Sequence, residues 1–150
     1  GTFALDPPGV LPDGLAVHTV TVPTGATTSL RVLTTTDRGS HWTEAGRVQV
    51  ATSVGTGVTV PNALGTSQVV IAAPTGSAAI AIPVVGGQPR QLAAGGSLKG
   101  AVGISLASDQ VGWARVTSTV CGSDKTQCSS NADLLVTRDG GATWQRTVPQ

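Results

Sequence analysis

The carboxylates are the residues of this chain whose type could best support catalysis. Glycoside hydrolysis, for example, needs two carboxyl groups about 5–10 Å apart across the bond that is cut. The eight acids are Asp6, Asp13, Asp37, Glu44, Asp109, Asp124, Asp133 and Asp139. Asp6, Asp13 and Asp109 fall in predicted turns, where a solvated structural role is typical. The sequence contains no Gly-x-Ser-x-Gly elbow, His-Glu-x-x-His helix or phosphate-binding loop. We therefore predict no catalytic residues and favour a protein that is not an enzyme.

Histidine and cysteine are too sparse to indicate a metal or redox site. His18 and His41 lie far in sequence from the only two cysteines, Cys121 and Cys128, and a protein zinc site needs about four ligands. The C-x6-C spacing is not that of a redox dithiol. We expect a disulfide across a hairpin, with free thiols and a metal or redox site as the alternatives. No cofactor is expected, and a stable disulfide would indicate a secreted or cell-surface protein.

A motif of the form [Ser/Thr]-x-Asp-x-Gly-x-x-Trp occurs twice, each time after an apolar run typical of a strand. Its eight defining residues are Thr35, Asp37, Gly39, Trp42, Thr137, Asp139, Gly141 and Trp144. The aspartate can accept hydrogen bonds from backbone N–H groups one or two residues on. The glycine suits a positive φ, and the tryptophan can pack across the turn. All of these roles are structural.

The two motifs resemble the Asp-box (BNR) repeat of sialidase-type β-propellers. This resemblance implies blades of four antiparallel strands, a to d, with the motif at the c–d turn, on the face opposite the ligand site. Sialidases that share the box use a tyrosine nucleophile assisted by a glutamate, whereas this chain has no Tyr and only one Glu, Glu44, beside the first motif. The resemblance therefore points to architecture and not to sialidase activity.

The distance between the motifs predicts a third, degenerate repeat. The two aspartates are 102 positions apart, which is too far for one blade of about 40–50 residues but suits two blades of 51. A shift of 51 aligns the turn at Pro23–Gly25 with that at Pro74–Gly76, and places Asp37 on Gln88, within the turn-rich segment 86–89. We predict a single all-β domain over 1–150, with blades at 1–49, 50–100 and 101–150.

The composition agrees with an all-β fold, because short runs rich in Val, Thr and Ala are separated by 20 Gly and 9 Pro. No charged residue lies between Arg47 and Arg90, and prolines interrupt this stretch, so a buried middle blade is favoured over a membrane span. The net charge of +1 argues against nucleic-acid binding. The predicted strands are Gly1–Leu5, Leu15–Val22, Ser29–Thr35, Gly57–Val60, Gln68–Ala73, Ala78–Val85, Gly103–Leu106, Gly112–Thr119 and Asp133–Val136. Within them, Trp113 is expected to pack in the core or between blades.

Three blades are too few for a closed ring, since propellers have four to eight. The chain is expected to be part of a longer propeller, or to complete a six-bladed ring with a second copy. A β-sandwich is the alternative fold.

The b–c loops and d–a links form the usual ligand face of a propeller. The candidate binding residues there are Thr24, Arg47, Thr75, Lys99, Asp124, Lys125 and Gln127, and the Cys-closed loop is the favoured location. We predict a secreted bacterial module that binds a glycan or a cell-surface protein, or serves as a scaffold, without catalysis. The alternatives are part of a propeller glycoside hydrolase with its catalytic residues elsewhere, and a structural assembly-factor repeat.

Overall fold

The computed structural model describes residues 3–5, 8–11, 13, 15–51, 60, 62–72, 79–92, 97–122 and 128–147. These residues form three antiparallel sheets, which confirms the predicted all-β class. Sheet I contains β1 (Ala4–Leu5), β2 (Gly9–Val10), β3 (Ala16–Thr24), β4 (Thr27–Thr35) and β5 (Thr43–Val50). Sheet II contains β6 (Asn62–Leu64), β7 (Gln68–Ala72), β8 (Ala79–Pro83) and β9 (Arg90–Gln91). Sheet III contains β10 (Ala101–Leu106), β11 (Gly112–Cys121), β12 (Cys128–Thr137) and β13 (Gln145–Arg146).

Each sheet has four strand positions connected in chain order. In sheets II and III the strands follow one another as a simple meander. In sheet I the first position is shared by β1 and β2, which both pair with the same edge of β3. Pro8 lies between these two short strands and has no N–H to donate to a neighbour, so a continuous strand is disfavoured here.

The first strand of sheet II lies later in the chain than the predicted first strand of the middle repeat. That prediction was Gly57–Val60, of which only Val60 is described; Val60 lies outside the strands, and β6 runs from Asn62 to Leu64. The N–H of Gly65 donates to the carbonyl of Gln68 at 2.8 Å, and this tight turn pairs β6 directly with β7. Positions 1, 2, 57–59, 73 and 78 of the predicted strands lie outside the described residues.

Sheet II is packed between the other two sheets. One of its faces carries Val69, Ile71 and Ile82, which form a buried cluster with Leu30 and Val32 of sheet I. Its other face carries Val70, Ala72, Ala79 and Ala81, and these pack with Ala114, Leu135 and Trp144 of sheet III. Because both faces are covered, β7 and β8 read as continuous apolar runs. The expectation of a middle repeat buried between its neighbours is confirmed for residues 68–72 and 79–82.

Sheets I and II lie close together at Gly46 of β5. A Cβ atom at this position would lie 2.5 Å from Cγ2 of Ile82 in β8. Real side chains do not reach that distance, so the absence of a side chain at Gly46 permits the two sheets to pack at this spacing.

Candidate functional site

The first motif forms a compact hydrogen-bonded turn between β4 and β5. The Thr35 hydroxyl donates to Oδ1 of Asp37 at 2.7 Å and accepts from the N–H of Gly39 at 3.1 Å. Asp37 Oδ1 also accepts from the N–H of His41 at 2.9 Å, and Oδ2 lies 2.6 Å from Nδ1 of His41. These hydrogen bonds, that from the Thr35 hydroxyl most strongly, lower the pKa of Asp37 to about 2.

The second motif repeats this network between β12 and β13. The Thr137 hydroxyl donates to Asp139 at 2.9 Å and accepts from the N–H of Gly141 at 2.8 Å. Asp139 accepts from the N–H of Thr143 at 2.8 Å and from its hydroxyl at 2.6 Å. The hydroxyl of Thr143 is the main reason that the pKa of Asp139 is lowered. Equivalent hydrogen bonds hold the two turns in the same shape.

In both turns the glycine has the predicted conformation, but the aspartate accepts its backbone hydrogen bond from a different residue than predicted. Gly39 and Gly141 have φ of 88° and 91°, so the predicted positive φ is confirmed. Each aspartate, however, accepts from the N–H four residues on, at His41 or Thr143, and not one or two residues on. The threonine hydroxyl has taken over the nearer N–H groups, so it closes the start of the turn while the aspartate closes its end.

The two motif tryptophans differ in their surroundings. Trp144 is 8% exposed and donates its Nε1–H to the carbonyl of Gly141 at 3.1 Å. Trp42 is 37% exposed, with its ring centroid 5.4 Å from that of His18. The expected packing across the turn therefore buries only Trp144, because sheet II covers that side of sheet III. Trp113 is 38% exposed, so it is not part of the core within this chain, and an inter-blade role would need a further sheet beside it.

Asp109 joins sheets II and III and is not the solvated turn residue that was predicted. It lies in the β10–β11 turn and accepts from the N–H groups of Thr66 and Ser67 at 2.7 and 2.9 Å. The hydroxyls of the same two residues donate at 2.6 Å. Partial burial by itself raises the pKa of Asp109, but the four hydrogen bonds outweigh it and lower the pKa. A Cβ atom at Gly65 would collide with this carboxylate.

The other described acids also have partners within the protein. Glu44 accepts two hydrogen bonds from the Arg47 guanidinium, both at 2.9 Å, and lies 3.9 Å from Arg31; Arg47 lowers the pKa of Glu44. Asp13 accepts from the N–H of Leu15, and Asp133 pairs with Arg146. Asp6 and Asp124 lie outside the described residues. The described acids therefore form the hydrogen bonds of turns or take part in ion pairs. Among the described residues, no group of three or more His, Cys, Asp or Glu could hold a metal ion.

The predicted binding residues are not brought together. Arg47, predicted near a d–a link, lies within β5 opposite Arg31, and its side chain is bound to Glu44. Thr24 ends β3 at the β3–β4 hairpin, and Lys99 lies in the turn before β10, so both are at the end of the sheets opposite the two motif turns. Four predicted positions lie outside the described residues, namely Thr75, Asp124, Lys125 and Gln127.

The predicted disulfide between Cys121 and Cys128 is confirmed, and it closes a projecting hairpin. The β11–β12 pairing continues to these cysteines, well past the last residues that pair with β10 and β13. Residues 117–121 and 128–132, here named the hairpin arm, are all exposed. The arm is mostly small and polar, with the hydroxyls of Thr119 and Ser130 3.0 Å apart.

The outer face of sheet I carries an apolar groove that the sequence did not predict as a site. The groove encloses about 680 Å³ and is lined by Phe3, Leu5, His18, Val20, Val22, Arg31, Leu33 and Trp42. One signal was available, since β3 carries valines on both faces. A strand that is apolar on both faces needs cover on both faces.

No protein-family model, curated protein or solved structure matches this chain. None of the described residues forms a helix long and apolar enough to cross a membrane.

Proposed function

We propose that this chain is a segment of an extracytoplasmic Asp-box β-propeller that serves as a non-catalytic binding or scaffold module, with a glycan as its first candidate ligand. The observation that supports the proposal is that the two ends of the sheets differ. In sheets I and III the hydrogen-bonded box turns lie at one end, and in sheet III the stapled hairpin arm projects from the other.

The arm is the favoured contact surface. Its two strands are held at the tip by the disulfide, so binding would cost little conformational entropy. Its exposed hydroxyls and the amide of Asn131 suit the hydroxyl groups of a sugar. The disulfide also agrees with an oxidising compartment.

The absence of catalysis in this segment is supported by the acids. Each described carboxylate is held by hydrogen bonds or an ion pair. A glycosidase needs one carboxylic acid and one carboxylate facing the same bond. A propeller hydrolase would therefore need catalytic residues that the described part of this chain does not supply.

The test is binding of the labelled chain to a glycan array and to intact bacterial cells, with Thr119→Arg as the arm variant. Ala142→Arg is the matched control, because Ala142 is exposed in a box turn at the opposite end. We expect Thr119→Arg to weaken binding at least about tenfold, or about 1.4 kcal/mol, and Ala142→Arg to bind normally. Binding to cells that protease treatment abolishes would identify a protein ligand. Equal loss in both variants, or release of reducing sugar by the chain, would contradict the proposal.

A further inference from the structure

The outer face of sheet I is equivalent to a face that is buried elsewhere in the molecule. The pair Ala16–Thr35 in sheet I corresponds to the pair Gly112–Thr137 in sheet III, since each ends at the threonine of its motif. In this alignment, three positions of sheet I match three of sheet III: His18 with Ala114, Leu33 with Leu135, and Trp42 with Trp144. The three sheet III residues are buried against sheet II, whereas the three sheet I residues line the open groove.

On the outer face of sheet III, exposed residues match residues that are buried in sheet I. The exposed residues Trp113, Arg115 and Leu134 match Val17, Thr19 and Val32 of sheet I in the same alignment. The sheet I residues are buried on the side of sheet II, with exposures of 3%, 4% and 0%. Trp113 and Leu134 are instead 38% and 47% exposed. The two outer faces are thus the two halves of an interface that the molecule already uses between its own sheets.

The box turns show what the groove of sheet I lacks. A Cβ atom at Gly141 would lie 3.2 Å from Leu92 and 3.5 Å from Val70, both from sheet II or the residue that follows it. At Gly39 the three nearest heavy atoms would all belong to Trp42 itself, at 3.7–3.9 Å. Among the described residues, sheet II thus lies close beside the second motif turn, and no residue of another sheet comes as near to Gly39 beside the first.

Two buried nitrogen atoms beside the groove also lack hydrogen-bond partners. Among the described residues, His18 Nδ1 and Arg31 Nε are buried without a partner, which is costly unless these side chains turn toward partners on an incoming surface. The outer face of sheet III carries Ser105 and Gln145 in the same cross-strand row as Trp113. Their side-chain oxygens are uncharged acceptors.

We propose that two copies of this chain associate head to tail, with the outer face of sheet III of each copy covering the groove of sheet I of the other. Both interfaces of such a pair are identical, and the pair is a closed ring of six sheets. The number of copies follows from closure, because propeller rings have four to eight sheets and each chain adds three. Six is the one multiple of three in that range. The inference shares the propeller geometry of the proposed function but needs no ligand, so the two can fail separately.

The experiment is sedimentation velocity of the full chain at about 50 μM, without ligand, where an interface with a micromolar Kd would be mostly formed. The wild type is expected at twice the 14.9 kDa of one chain. Leu5→Glu in the groove and Trp113→Glu on sheet III change residues that are 50% and 38% exposed, so the fold should survive. Each is expected to sediment as a single chain, with circular dichroism confirming that its sheets are intact. Val85→Glu, at a 77% exposed position in a turn of sheet II, is the control that should stay paired.

Mixing the variants tests the direction of pairing. A Leu5→Glu chain retains a native sheet III face and a Trp113→Glu chain retains a native groove, so their mixture should form one-to-one pairs through a single interface. Pairing lost in Leu5→Glu but kept in Trp113→Glu would overturn the head-to-tail arrangement. A wild type that stays a single chain, or that forms an open series of larger species, would overturn the closed pair.

Discussion

At the scale of single residues, threonine and aspartate accept hydrogen bonds from different N–H groups of each motif turn. The hydroxyl of Thr35 or Thr137 takes the N–H groups at the start of the turn, and the carboxylate of Asp37 or Asp139 takes the N–H at its end. These contacts span at most four residues, so both copies form them alike. The tryptophans that follow, Trp42 and Trp144, differ in their exposure, because their burial depends on residues outside the turn.

The two box tryptophans provide a matched pair of substitutions. Trp144→Ala should lower the free energy of unfolding by about 3–5 kcal/mol, the usual range for a buried aromatic. Trp42→Ala should cost less than half as much, since Trp42 is 37% exposed against 8% for Trp144. Urea unfolding of both variants in a Trp113→Glu background, which keeps the chain single, measures the difference. Equal costs would contradict the assignment of Trp42 to an uncovered face.

At the scale of elements, the contact between sheets I and II includes a position where a side chain would not fit. Gly46 lets β5 lie against β8. The distance between packed sheets is thus determined by the side chains between them.

Gly46→Ala should therefore cost about 1–3 kcal/mol, because its methyl group would meet Cγ2 of Ile82. Ile82→Leu removes that branch, and in this background the cost of Gly46→Ala should fall by about 0.5 kcal/mol or more. Gly103→Ala is the control, since no heavy atom lies within 4 Å of a Cβ there. A double-mutant cycle by chemical unfolding measures the coupling, and additive costs would show that the two residues do not meet.

At the scale of the whole molecule, the three sheets form a stack whose two outer faces differ from each other. Sheet II presents one apolar face to each neighbour, and the two outer sheets each leave one face open, with Trp42 and Trp113 among the exposed residues. Asp109 adds a polar connection between sheets II and III. The stability of the stack thus depends partly on carboxylates that are ionised.

The melting temperature should consequently fall in acid. The pKa values of Asp37, Asp109 and Asp139 are lower in the folded chain than their ordinary value of 3.8. Their stabilisation is therefore complete above that value and is lost as the pH falls toward the folded pKa, about 2 for Asp37. Asp109→Asn should lower the melting temperature at pH 7 and make its fall below pH 4 shallower. Ser108→Ala, in the same turn, should lower it equally at every pH. Calorimetry from pH 7 to pH 2 distinguishes these outcomes, and an unchanged slope in Asp109→Asn would contradict the role of this carboxylate.

The sequence by itself determined what depends on near neighbours. The two middle strands of each sheet follow from local apolar patterns, the motif turns from glycine conformation and hydrogen bonds within four residues, and the disulfide from two cysteines across one hairpin. Tertiary structure decided the rest. Asp109 bonds to Thr66, 43 residues away, so its own turn carried no sign of that partner. The burial of Trp144 and the exposure of Trp42 and Trp113 depend on which sheets lie alongside, and the groove on sheet I exists because none of the described sheets lies against that face. Contacts between sheets join residues far apart in the chain, and only the packed molecule defines them.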